Sequence, residues 1–306
     1  MPFIQIPGLH IHYEQAGEGT EILVLVHGNF ASWRWWLPLL ENLPTGYRAY
    51  APDLRGCGDT EKPPNDHSIP QLAEDLAAFA DALALPRFHL IGHSLGGAVS
   101  LQFALRQPQR LYSLALVASA PAEGLKLHKE HHFFSLSSLI PRDTLARWLP
   151  SIIMHRPVMQ RSLSRALPTL SNDHDLEPLV EDALRLSSQA VTGFLQSLDQ
   201  WNVQAELGKL QVPVLIVGGA LDPVVSPEAL ARTAAALPNA RLIIWEDTGH
   251  GPQLEQPQRF RALLEAFIRQ PTAPAPEVVP PRVPVSKPGR LRRLWNWLRS
   301  FFRGSD

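Results

Sequence analysis

A serine stands between two glycines in Gly92-His93-Ser94-Leu95-Gly96-Gly97, directly after the apolar run Phe88-His89-Leu90-Ile91. Glycines two residues to either side of a serine suit a very sharp strand-to-helix turn. In such a turn the serine backbone is strained and its hydroxyl stands clear at the end of a sheet. A Cβ at either flanking position would collide with the neighbouring element. The spacing alone is a weak signal, because glycine is common. Its setting strengthens it: a strand-like run precedes, and Ala98–Leu105 follows with helix-forming composition. Farther along, Asp222 and His250 appear in the order that a Ser-Asp-His relay built on such a turn requires.

Such side chains must be positioned by regular elements, and the chain supplies them. Phe3–Ile6 and Ile11–Glu14 alternate and are joined by Pro7-Gly8, which predicts an opening hairpin. Glu21–Val26 is almost continuously apolar, as a central strand buried on both faces should be. Tyr47–Ala51, Phe88–Ile91, Ser113–Val117, Val214–Val217 and Arg241–Trp245 read as further strands. Ser68-Ile69-Pro70-Gln71 resembles a helix start with proline in the first turn. Ile69, Leu72, Leu76, Phe79 and Leu83 then form one apolar stripe. Strands alternating with helices predict a mostly parallel sheet covered on both faces.

From Pro121 to about Ala205 that alternation stops, giving way to proline-punctuated helical sequence rich in large apolar residues, among them Phe133, Phe134, Trp148, Met154 and Phe194. Residues 121–205 are therefore expected to be a helical cap inserted into a core made of residues 1–120 and 206–270. Residues 271–288 hold seven prolines in eighteen positions, the composition of an extended linker. Residues 289–306 read as a separate short helix.

Composition bounds the function. With 306 residues, 45% hydrophobic and 19% charged, the chain can bury a sizeable core. Residues 271–306 carry seven Lys/Arg against two Asp/Glu, a net of +5; the total of −1 leaves residues 1–270 at −6. That acidic body offers no footprint for nucleic acid. Cys57 is the sole cysteine, so no internal disulfide is possible, and a thiol nucleophile there is disfavoured. His128, His131 and His132 lack a carboxylate or an i, i+4 partner, which favours a solvated helix face over a metal site. No metal and no cofactor are expected. Met1–Ile6 shows no basic stretch leading into an apolar one, and no apolar run approaches a membrane span. The expected location is the cytoplasm, with peripheral contact at a membrane surface through the tail.

Five motifs in order carry a family resemblance over roughly residues 3–269: His27-Gly28-Asn29-Phe30, Pro52–Asp59, Gly92–Gly97, Gly219–Pro223 and Asp247-Thr248-Gly249-His250. The chain resembles the capped serine hydrolases of the α/β-hydrolase superfamily. The resemblance implies the α/β-hydrolase fold, with Ser94 as nucleophile, His250 as its base and Asp222 holding the imidazole. It implies an oxyanion site made by the backbone N–H groups of Leu95 and Asn29, with Phe30 as the neighbouring alternative. His27 would shape that loop, and His93 would serve in packing. Haloalkane dehalogenase and epoxide hydrolase chemistry is disfavoured, because relatives with those activities carry aspartate where this chain has Ser94.

The implied activity is cleavage of a carboxylic ester, or a related acyl bond, of a small and fairly apolar substrate through an acyl-serine intermediate. The apolar composition of the cap predicts an acyl or alkyl pocket. Carbon–carbon bond hydrolases and cofactor-free haloperoxidases of the superfamily use the same triad. A non-catalytic ligand-binding or membrane-docked scaffold is the alternative from another class, although it would have no need of all three residues. Outside the resemblance, Leu291, Leu294, Trp295, Leu298, Phe301 and Phe302 fall on one helical face with arginines around them. That pattern predicts interfacial membrane binding, with docking on a partner protein or on the chain's own domain as the alternatives.

Overall fold

A buried strand that must pack on both faces cannot alternate apolar and polar residues, and Glu21–Val26 does not. In the computed structural model, which describes residues 2–125, 154–170 and 173–270, this segment is strand β3, near the middle of an eight-stranded sheet. Leu23 and Leu25 face one side, against Trp33, Trp36, Leu39, Phe260 and Phe267. Val24 and Val26 face the other, against Leu72, Phe79, Leu95 and Val99. One strand thus joins two cores.

The other strands are β1 (Phe3–Ile6), β2 (Leu9–Ala16), β4 (Tyr47–Pro52), β5 (Phe88–His93), β6 (Leu111–Val117), β7 (Val214–Gly219) and β8 (Ala240–Trp245). Their spatial order is β1-β2-β4-β3-β5-β6-β7-β8. The first two form the predicted antiparallel hairpin, and β2 also runs antiparallel to β4. Every pair from β4 to β8 is parallel. The mostly parallel sheet expected from the alternation is therefore observed.

Helices α1 (Leu37–Glu41), α2 (Ile69–Ala82), α3 (Leu95–Arg106) and, after β7, α7 (Pro227–Ala236), α8 (Pro252–Glu255) and α9 (Pro257–Arg269) complete the body. Helix α2 starts as its sequence predicts: Ser68 Oγ accepts the Gln71 N–H at 3.3 Å, with proline in the first turn. It ends at Ala82, and Leu83, last in the predicted stripe, is its C-cap.

Between β6 and β7 the described residues form α4 (Arg156–Ala166), α5 (Asp173–Leu184) and α6 (Ser188–Gln200). Met159 and Leu163 of α4 pack with Leu176, Leu179 and Val180 of α5, and this cluster includes Ala31 and Trp35 from the loop after β3. Phe194 of α6 is fully buried in the main core and Met154 packs on its edge, so both serve as packing. Phe133, Phe134 and Trp148 lie outside the described residues, as do the three histidines at 128, 131 and 132 and all of the tail. Among the described residues no helix is long and apolar enough to cross a membrane.

Candidate active site

Parallel strands deliver their carboxyl ends to one edge of the sheet, where crossover loops can meet. Ser94 follows β5, Asp222 follows β7 and His250 follows β8, so all three arrive at that edge. Ser94 is the residue where strand becomes helix, with φ 51° and ψ −117°, the strained left-handed backbone expected of the turn. A Cβ at Gly92 would strike the Gly96 carbonyl, and one at Gly96 would strike the carbonyls of Val26 and His27. Both glycines are therefore required by close backbone approach. The Ser94 N–H donates to Val117 O at 3.0 Å, which ties the turn to the end of β6.

His250 connects the other two side chains. Its Nδ1–H donates to Asp222 Oδ2 at 2.7 Å, and its Nε2 accepts from Ser94 Oγ at 3.0 Å. The remaining carboxylate oxygen of Asp222 accepts the N–H groups of Val224 at 2.7 Å and Val225 at 3.0 Å, which fixes its orientation. With Nδ1 committed as donor, Nε2 carries the lone pair facing the serine. The arrangement can take a proton from Ser94 and balance the imidazolium charge that results. Ser94 is only 8% exposed, so these interactions operate with little competition from water.

The backbone donors beside the serine divide clearly. Leu95 is the first residue of α3, where an N–H has no partner inside its own helix and the helix dipole is positive. The Asn29 N–H likewise has no hydrogen-bond partner among the described residues. The Phe30 N–H is occupied by Asn29 Oδ1 at 2.9 Å, with Phe30 at φ 56°. Of the two alternatives read in the loop after β3, Asn29 keeps a free donor and Phe30 does not.

Two other histidines near the site are held neutral. Burial lowers the His27 pKa from the ordinary 6.5 despite the nearby Asp53 carboxylate. Its Nδ1–H donates to Gly28 O at 2.8 Å, and its Nε2 accepts the Leu54 N–H at 2.9 Å. Both nitrogens are engaged by backbone, so His27 shapes the loop and has no lone pair to offer as a base. Burial, and then the neighbouring His250, push His93 well below 6.5. Its Nε2–H donates to the His250 carbonyl at 2.8 Å, while its ring stacks on Trp35, 4.7 Å between centroids. Packing was the sequence expectation for His93; a hydrogen bond to the His250 backbone is what that expectation missed.

His12, Asp53 and Asp59 bring possible metal-ligating atoms within 4.8 Å of one another. The Asp53 carboxylate already accepts from Trp33 N, Asp59 N and His12 Nδ1, which makes it a hydrogen-bond hub for the loops after β3 and β4. The Cys57 thiol is fully buried, and burial pushes its pKa well above the ordinary value, leaving it unreactive. A cleft of about 800 Å³ opens between residues 64–70 and α6, lined by residues that include Pro64, Ser68, Gln189, Thr192 and Trp201; neither Ser94, Asp222 nor His250 lines it. It is not the apolar acyl pocket expected from the cap's composition.

Comparison with known proteins agrees with this layout. The model of the alpha/beta hydrolase fold family matches residues 21–257. The chain belongs to the α/β-hydrolase fold family. This α/β hydrolase is 30% identical to an uncharacterised protein of Mycobacterium tuberculosis, over 88% of its own chain and 81% of the relative. It is 28% identical to a pimeloyl-[acyl-carrier protein] methyl ester esterase of Aeromonas salmonicida, over 85% of its own chain and all of the relative. A thermophilic esterase from Thermogutta terrifontis shares the fold of this α/β hydrolase, with a TM-score of 0.75 and 23% identity over 89% of this chain and 99% of that one.

Sequence reasoning missed Glu255, whose carboxylate accepts the N–H groups of Gly249 and Gly251, each at 3.0 Å, on either side of His250. It also missed Asp182 of α5. This residue is 2% exposed and accepts from Ser32 Oγ and, at 2.8 Å, from the Arg34 guanidinium. Glu255 lies in the first turn of the single-turn α8 and its carboxylate reaches back to the N–H of the N-cap Gly251, a contact that no spacing in the sequence announces.

Proposed function

We propose that this α/β hydrolase is a serine esterase acting on carboxylic esters of small, fairly apolar acyl groups. The observation that carries the reading is the bonding of one imidazole to both Asp222 and Ser94. In the proposed reaction Ser94 Oγ attacks the ester carbonyl carbon while its proton passes to His250 Nε2. The tetrahedral oxyanion is received by the N–H groups of Leu95 and Asn29, each donor contributing roughly 3–4 kcal/mol. The protonated His250 then gives its proton to the departing alkoxide, leaving an acyl-Ser94. Water, deprotonated by the same imidazole, attacks the acyl carbon and releases the acid. Asp222 stabilises the imidazolium in both halves without itself taking a proton.

The methyl ester esterase from Aeromonas salmonicida supports ester chemistry. Substrate choice is assigned to the proposed cap, residues 121–205, since the triad fixes only the reaction type. The test is hydrolysis of p-nitrophenyl esters from acetyl to palmitoyl, with Ser94→Ala as control. Activity in the intact protein and its loss in the variant are expected, with an optimum at short to medium chains. No ester turnover, with Ser94 still labelled by a fluorophosphonate, would move the assignment to a carbon–carbon hydrolase or haloperoxidase with the same triad. No labelling in folded protein would favour a binding role.

We further propose that residues 289–306 form an amphipathic helix that docks on anionic membrane surfaces, tethered through the proline-rich segment 271–288. The support is the face made by Leu291, Leu294, Trp295, Leu298, Phe301 and Phe302 with arginines around it.

A further inference from the structure

Every backbone N–H from 249 to 251 is held by one of two partners. Gly249 and Gly251 donate to the same oxygen of Glu255, each at 3.0 Å, and His250 donates to the carbonyl of Ala166 at 2.6 Å. Ala166 is the last residue of α4, in the stretch between β6 and β7. The second oxygen of Glu255 turns to the same stretch: it accepts from Thr169 Oγ1 at 3.0 Å and from the Thr169 N–H at 3.3 Å. Glu255 is 8% exposed and forms no ion pair among the described residues, so these four hydrogen-bond donors take the place of water around its carboxyl group. A buried carboxylate in that position is stable only while the donors stay in place.

Steric contact reinforces the link. A Cβ on Gly249 would meet the Ala166 carbonyl and the Pro168 ring, and one on Gly251 would meet the Leu167 side chain. Residues 166–169 therefore lie along the whole His250 turn. If they lift away, the His250 N–H loses its acceptor, and Glu255 keeps only the two glycine N–H groups.

We propose that Glu255 is a positioning residue that makes the alignment of His250 with Ser94 depend on the seating of residues 166–169. Catalysis is thereby coupled to the contact that residues 166–169 make with the His250 turn. The inference builds on the proposed role of His250, but its central claim is a physical linkage that exists whether or not esters are the substrate.

Thr169→Val tests the linkage with the least disturbance, because it removes one hydroxyl donor and keeps the shape. Glu255→Gln keeps an acceptor for the glycines and removes the charge. Hydrogen exchange of the full-length protein, resolved at residues 249–251, is measured alongside ester turnover. Thr169→Val should speed exchange at 249–251 about three- to tenfold and lower kcat by a similar factor with KM unchanged. In the Glu255→Gln background the same change should add little, because the two residues act through one contact. Exchange at 249–251 unchanged in a folded Thr169→Val protein would overturn the proposal, and so would additive effects of the two substitutions. Should the intact protein turn over no ester, while Thr169→Val still loosens residues 249–251, the esterase reading fails and the linkage stands.

Discussion

Hydrogen-bond partners decide which histidine can act as a base. His27, His93 and His250 lie close together, yet only His250 presents a free nitrogen to a hydroxyl. The depressed pKa of His93 leaves no second positive charge 4.9 Å from the His250 ring when that ring becomes protonated. It also carries a stability consequence. His93 and His27 are neutral in the folded chain but titrate near 6.5 once unfolded, so below that pH the unfolded chain binds more protons. Stability should fall as pH drops through 6.5 toward the lowered folded values. His93→Gln, which can still donate to the His250 carbonyl, should flatten that slope in urea titrations run from about pH 7.5 to about pH 5.5. An unchanged slope would mean that His93 is not neutral when folded. For Asp222→Asn the expected effect is a drop in kcat of about ten thousandfold with little change in the melting temperature, because the geometry survives and the tautomer does not.

At the scale of elements, the loop after β3 is gripped from two sides. Asp53 anchors it from the core through the Trp33 N–H. Asp182 of α5 anchors it through Ser32 and Arg34, three and five residues from Asn29. Removing the Asp182 carboxylate takes the partner from the buried Ser32 hydroxyl and from the partly exposed Arg34 guanidinium, and loosens α5 from that loop. Asp182→Ala should destabilise the protein by about 3 kcal/mol, measured by denaturant unfolding, and should lower kcat more than an equally destabilising core substitution. Equal losses in the two variants would reduce Asp182 to a purely structural role.

For the whole molecule, charge is segregated along the chain: residues 1–270 are acidic, and residues 271–306 carry a net +5. The proposed tail helix would add about 1 kcal/mol of attraction for each basic side chain near an anionic surface. Full-length protein should therefore float with vesicles containing phosphatidylserine, and protein ending at residue 270 should not. High salt should weaken the flotation without abolishing it, since the aromatic face is indifferent to screening. Equal flotation of both forms would remove the membrane proposal.

The strands, their mostly parallel arrangement and the Ser94 turn were legible in the sequence because each rests on local rules. Continuous apolar runs mark strands buried on both faces, and glycines mark places where backbones nearly touch. The order of Ser94, Asp222 and His250 was likewise readable, since each follows a strand end. Tertiary structure alone decided that one imidazole reaches both partners. It alone gave His93, Glu255 and Asp182 their roles. Those contacts join residues far apart in the chain, such as Thr169 with Glu255 and Ser32 with Asp182, and no local periodicity encodes them. A buried carboxylate looks in sequence like any surface acid; only the donors that folding collects around it reveal what it holds.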